Sequence, residues 1–165
     1  SLMAKNKEEK TNVMRVLEQK KIAYTAHTYP HEEGVAVDGV TVAQSMGFDP
    51  AIVFKTLVAR GASKQYYVFD VPVAENLDLK KAAKAVGEKS IEMIHQKELL
   101  PLTGYVHGGC SPVGMKKLFP TVIHKTAEDL ETMIVSAGKI GYQVELSPQD
   151  LAALVRAQFA DITVE

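Results

Sequence analysis

The chain has 165 residues, 46% of them hydrophobic, with nineteen basic against twenty acidic side chains and a net charge of −1. That length suits a single domain around one core, and the apolar content excludes a disordered chain. No stretch approaches the roughly 20 apolar residues of a membrane span, and near-neutrality offers no global attraction for a polyanion, so any nucleic-acid contact has to be local.

Ser1 and Leu2 precede Met3 and read as a cloning remnant, so one domain over 3–165 is expected. The N-terminus lacks the charged-then-apolar pattern of a secretory signal, and a lone cysteine, Cys110, suits a reducing compartment, so a cytoplasmic protein is expected. From Lys10 to Lys21, Val13, Val16 and Leu17 recur at helical spacing behind Thr11 or Asn12 as N-cap. Ile22 to Tyr29 turns to β-branched and aromatic residues and reads as a strand stopped by Pro30. His31 to Gly39 has no clear period and reads as a loop carrying side chains toward a site. Thr41 to Met46 is a short helix closed by Gly47. Ala51 to Arg60 and Gln65 to Val73 are strands joined at hairpin length, forming the centre of a sheet.

Asp78 caps a helix running to Val86 and ended by Gly87, with Leu79, Ala82, Ala83 and Val86 as the buried face. A further helix over His95 to Leu100 is expected to break at Pro101. Thr121 to His124, Glu131 to Ser136 and Tyr142 to Leu146 read as strands, with Gly138 and Gly141 turning the chain between the last two. Ser147, Pro148 and Asp150 mark the start of a last helix reaching about Gln158, with a short strand after it. Strands mixed irregularly with helices give no βαβ series, so the expected fold is α+β: a mixed, largely antiparallel curved sheet surrounded by short helices.

Thr103 to Gly114, TGYVHGGCSPVG, sets four glycines around a tyrosine, a histidine, a cysteine and a proline. Such a cluster lets the backbone approach a ligand and turns amides inward to hold a carbonyl oxygen; it also serves as a tight connection between elements. Lys55 interrupts an apolar row at mid-strand, and such a lysine either snorkels to a rim or awaits an anion. Tyr29 and Tyr105 offer an aromatic face to a terminal adenine, or amphipathic core. His107 and Cys110 lack the third orienting group of a thiol protease, the other histidines are scattered singly, and no metal site or cofactor is expected. No G-x-S-x-G elbow is present, so a protein nucleophile has little support. Lys80, Lys81, Lys84, Lys89 and Lys97 are a candidate basic patch or a solvated face.

The residues FKTLV (54–58), DLKKAAKAVG (78–87), TGYVHGGCSPVG (103–114), SAGKIG (136–141) and SPQDLAALVRA (147–157), in this order, resemble the YbaK family. That family comprises free-standing relatives of the editing domain inserted in bacterial prolyl-tRNA synthetases, and the resemblance is to a Cys-tRNA(Pro) deacylase. It implies an aminoacyl-tRNA deacylase that removes cysteine from the acceptor end of tRNA(Pro), with Cys-tRNA(Cys) as a further substrate. Lys55 matches the family's strand lysine, and Gly108 and Pro112 match the ends of its G-x-x-x-P loop, where the amides of Gly108 and Gly109 are expected to hold the carbonyl. Tyr29, Tyr105 and Ser136 resemble pocket residues. The implied mechanism uses the substrate's own thiol, with Lys55 expected to bind the terminal tRNA phosphate or ribose region and orient the ester without acting as a base. A complex with prolyl-tRNA synthetase is an expected partner and a membrane is not. The alternative is a non-catalytic module that binds aminoacyl ends or a related small ligand.

Overall fold

The computed structural model describes residues 10–165, so the expected start at Met3 and the remnant before it lie outside the described residues. Helix α1 (Asn12–Gln19) starts where the Thr11 hydroxyl accepts from the Met14 amide at 3.3 Å, and it buries Val13, Met14 and Leu17. Strand β1 (Tyr24–Thr28) follows, then α2 (Gly39–Met46). Asp38 caps α2 by accepting from the Thr41 amide at 3.1 Å, which starts the helix earlier than the expected Thr41. Gly47 ends it in the left-handed conformation at φ 74°. A 3-10 turn at Pro50–Ile52 shortens the first hairpin strand to β2 (Phe54–Gly61), which pairs antiparallel with β3 (Tyr66–Pro72).

Helix α3 (Leu79–Val86) is capped by Asp78 and buries Ala82 and Ala83. Leu79, expected on that face, is instead 43% exposed, because it sits at the first helical position outside the narrower stripe of alanines. Lys81, read as part of a candidate basic patch or a solvated face, pairs instead with Asp161 at 3.1 Å and with the Thr163 carbonyl at 2.9 Å, tying α3 to the end of the chain. Strand β4 (Ile91–Met93) leads into α4 (Gln96–Thr103). Pro101 does not break α4 as expected. It removes one amide from the ladder, while the Thr103 hydroxyl donating to the Leu99 carbonyl at 2.7 Å and the Gly104 amide donating to Leu100 at 2.9 Å hold the last turn.

Strands β5 (Thr121–His124), β6 (Met133–Ser136) and β7 (Tyr142–Leu146), helix α5 (Pro148–Val155) and strand β8 (Gln158–Ala160) complete the chain. The fold is α+β, with its strands in two sheets. An antiparallel three-stranded sheet runs β1-β7-β6, and a mixed five-stranded sheet runs β4-β2-β3-β5-β8, with β5 parallel to both its neighbours. A parallel bridge between Val53 and Ile134 joins the two. One core packs α1 and α5 against the first sheet through Leu17, Met133, Val144 and Leu151. A second packs α3 on the other through Ala82, Phe69 and Val71. Among the described residues, no helix is long and apolar enough to cross a membrane.

Candidate active site

Where the two sheets meet, a cavity of about 450 Å³ takes its walls from both. Residues 53–57 of the β2 segment form one wall, Tyr29, Ser136, Tyr142 and Gln143 another, the loop before α2 a third, and His107, Gly108 and Cys110 a fourth. Strand β4 pairs only with Ala59 to Gly61, so the front half of β2 is an open edge. The Val58 carbonyl accepts from the Ile94 amide on that edge, and the two-residue repeat of a strand then turns the main-chain groups of Thr56 the same way, into the cavity.

Lys55 projects into this space from β2. It is half-buried and, among the described residues, donates no hydrogen bond and forms no ion pair. Burial pulls its ammonium below the usual lysine range, while the nearby carboxylates of Asp38 and Glu75 oppose that shift. Asp38 lines the same cavity from the cap of α2. The result is a cation with carboxylates at a distance and room beside it for an anionic or strongly dipolar group.

Gly108 faces Lys55's cavity and is fixed as glycine twice over. Its φ is +88°, and a Cβ there would lie 2.6 Å from the Cβ of Ala36. The amides of Gly108 and Cys110 have no partner among the described residues. The Gly109 amide, expected beside Gly108 to hold a carbonyl, instead donates to the Val106 carbonyl at 3.0 Å and does not face the cavity. Pro112 is buried and does not line the cavity. Tyr105, expected as a pocket residue, is a strut: its hydroxyl donates to the Val113 carbonyl, and its ring fills the space that a Cβ on Gly138 would need. Tyr29 and Ser136 line the cavity, so Lys55, Gly108, Tyr29 and Ser136 come together while Gly109, Pro112 and Tyr105 do not.

Cys110 lines the cavity, but burial pushes its thiol up to about 12, helped by the nearby Asp70 carboxyl. It stays protonated at neutral pH and is a poor nucleophile. Among the described residues, no group of three His, Cys, Asp or Glu side chains is placed to hold a metal ion. Sequence reading missed Asp38, Thr56, Tyr142 and Gln143 on the walls. Only Asp38 carried a usable signal, as an N-cap three residues before Thr41.

A family model described as an aminoacyl-tRNA editing domain matches residues 34–154, a span that holds the β2 edge, the glycine loop and the 136–141 turn. The chain belongs to this family. A protein of Enterococcus faecalis provisionally named Cys-tRNA(Pro)/Cys-tRNA(Cys) deacylase EbsC is 45% identical over 164 residues, covering 99% of each chain. A crystal structure provisionally described as a trans-editing enzyme for prolyl tRNA synthetase superposes with a TM-score of 0.78 at 26% identity, over 93% of this chain and 95% of that one. The hypothetical protein APE2540 shares the fold, with a TM-score of 0.81 at 19% identity over 92% of this chain and 99% of that one.

Proposed function

We propose that this chain is a trans-editing deacylase that cleaves cysteine from mischarged tRNA(Pro), and also from Cys-tRNA(Cys), using the substrate's own thiol. The observation that carries the reading is the cavity shared by Lys55 and the Gly108 amide, which has no partner among the described residues, with the one thiol on its walls, Cys110, held protonated. The name of the Enterococcus relative, matched over 99% of both chains, supports the same substrate and a single editing domain over residues 3–165.

In this reading the Gly108 amide donates to the ester carbonyl oxygen and gains strength as negative charge grows there. Lys55 lies beside the ribose side of the ester and orients it without accepting a proton. The cysteine sulfur attacks its own carbonyl carbon, the bond from that carbon to the ribose oxygen breaks, and the thiol proton ends on the released ribose hydroxyl. The aminoacyl group leaves as a cyclic thioester that water opens to free cysteine. Holding the two reacting groups of one substrate together removes an entropy cost of about 7 to 11 kcal/mol, which is why placement can suffice. Tyr29 and Ser136 complete the wall around the aminoacyl group.

The substrate places this work in the cytoplasm, where tRNA is charged. The near-neutral chain, with Lys81 already paired, has modest attraction for RNA, so selection of tRNA(Pro) is assigned to a complex with prolyl-tRNA synthetase. Equal affinity for tRNA(Pro) with and without the synthetase would remove that partner. The reading itself is tested by following labelled cysteine on Cys-tRNA(Pro). The wild-type protein shortens the life of the ester and Lys55→Ala does not; a protein that binds the charged tRNA and protects its ester is a binding module instead.

A further inference from the structure

Around the turn that packs on Gly109, three side chains stand that the chemistry above leaves unused: Tyr142 on the cavity wall, and Lys139 and His31 exposed beside it. The glycine loop abuts the turn before β7: a Cβ on Gly109 would lie 3.1 Å from the Ile140 nitrogen and 3.4 Å from the Lys139 Cα. Lys139 holds its ammonium 5.1 Å from the centroid of the Tyr142 ring. Tyr142 lines the cavity and also meets His31 edge-on, with ring centroids 6.2 Å apart. The His31 ring sits on Gly141, where the space for any Cβ is already filled by the imidazole, and its Nδ1 is 3.2 Å from the Tyr29 carbonyl. Lys139 and His31 are exposed and Tyr142 is half-buried, so an aromatic wall runs from the cavity to the surface and ends in a cation.

We propose that Tyr142 and His31 seat the purine of the tRNA's terminal adenosine and that Lys139 pairs with its 5′-phosphate. The inference rests on the deacylase reading for the position of the ester. In an aminoacyl-tRNA the ester carbonyl, the ribose, the base and the 5′-phosphate are consecutive. A carbonyl on the Gly108 amide therefore leaves base and phosphate one ribose away, and the turn that leads from Lys139 to Tyr142 packs on the next residue, Gly109, and reaches Gly108 itself through the Ile140 side chain, 3.6 Å from where a Gly108 Cβ would lie. Every purine has a π-face that stacks on tyrosine or histidine, and a lysine ammonium is a point charge suited to a phosphate. A purine laid on Tyr142 takes the ammonium's place over the ring, and the freed ammonium turns to the phosphate. His31, locked between Gly141 and the Tyr29 carbonyl, presents a preset edge at little entropic cost.

The test is equilibrium binding of two uncharged RNA minihelices, one ending in CCA and one in CC, to the full chain and to its Lys139→Gln and Tyr142→Leu variants. The wild-type protein should bind the CCA end about tenfold more tightly. Lys139→Gln should weaken CCA binding several-fold and lower its salt slope by about one. Tyr142→Leu should abolish the preference, and the exposed position of Lys139 keeps the test alive if Tyr142→Leu unfolds. Equal wild-type binding of the two RNAs, or a full preference in both variants, overturns the seat. Cysteine release by the same protein samples, measured on a CCA minihelix charged with cysteine, separates the two readings. A preference for CCA with an untouched cysteine ester keeps the seat and removes the deacylase, whereas deacylation with no preference removes the seat alone.

Discussion

Lys55 and Asp70 are both ionisable side chains set into otherwise apolar faces of the same strand pair, and their surroundings differ. Register pairs Lys55 with Val71 and Thr56 with Asp70, so alternation sends Lys55 to one face of the sheet and Asp70 to the other. Burial acts on both in the expected sense, lowering the lysine and raising Asp70 to about 7. Lys55, however, opens onto a cavity with space beside it. Asp70 is fully buried; one oxygen accepts from the Thr56 hydroxyl at 2.6 Å and the other has no partner among the described residues. A perturbed pKa therefore marks a site in one case and a stability cost in the other, and the cavity is what distinguishes them.

The sharpest way to break that contrast is to remove each group in turn. Lys55→Ala should lower cysteine release about a hundredfold, a loss of the size seen when one preorganised electrostatic contact is removed, with the melting temperature unchanged or slightly raised because a desolvated cation is gone. An active Lys55→Ala protein would make the lysine another stability cost. Gly108→Ala should lower release about tenfold and destabilise by about 1 to 3 kcal/mol in denaturant titrations, since it combines a left-handed φ with an Ala36 overlap.

Asp70→Asn should do the reverse for stability. The folded carboxyl holds its proton to about pH 7 while an unfolded aspartate loses it near 3.8, so wild-type stability falls as pH rises between these values and levels off above. The variant lacks that slope. At pH 8 it should be about 1 to 3 kcal/mol more stable than wild type after the cost of an unpaired amide donor, with the difference vanishing or reversing near pH 4. A wild-type stability flat from pH 4 to 7 would count against the buried charge. Cys110→Ser should change deacylation less than about twofold, because a thiol pushed up to about 12 is not the nucleophile.

Much of the scaffold was legible in the chain. The Asp78 cap and Gly87 stop bound α3, the β-branched pair Val122 and Ile123 marks β5, and apolar-polar alternation marks β7, because each of these signals is local. Strand β4 escaped because three residues with two exposed carry no period, and its pairing with β2 is a tertiary fact. Lys55 stood out as a cation in an apolar row. The separation of Gly108 from Gly109 did not, because it depends on which neighbouring carbonyl captures an amide. Tyr105 and Tyr29 looked alike in sequence. Only packing against Gly138 and Val113 makes the first a strut, while the second faces the cavity. The loop from His31 to Gly39 had no readable shape, yet Ala36 and Asp38 close the site from there, held by the approach of Ala36 to Gly108 and by the cap of α2.

The claim that the protein supplies placement while the substrate supplies the nucleophile is tested most directly by comparing wild-type hydrolysis of cysteine and serine esters on the same tRNA(Pro). The two differ by one atom, sulfur against oxygen, at the attacking position. Cysteine should be released at least about a hundredfold faster, since a hydroxyl is a far weaker nucleophile than a thiol at neutral pH. Serine release at the cysteine rate would mean that water or a protein group attacks the ester, and the substrate-thiol mechanism would be wrong.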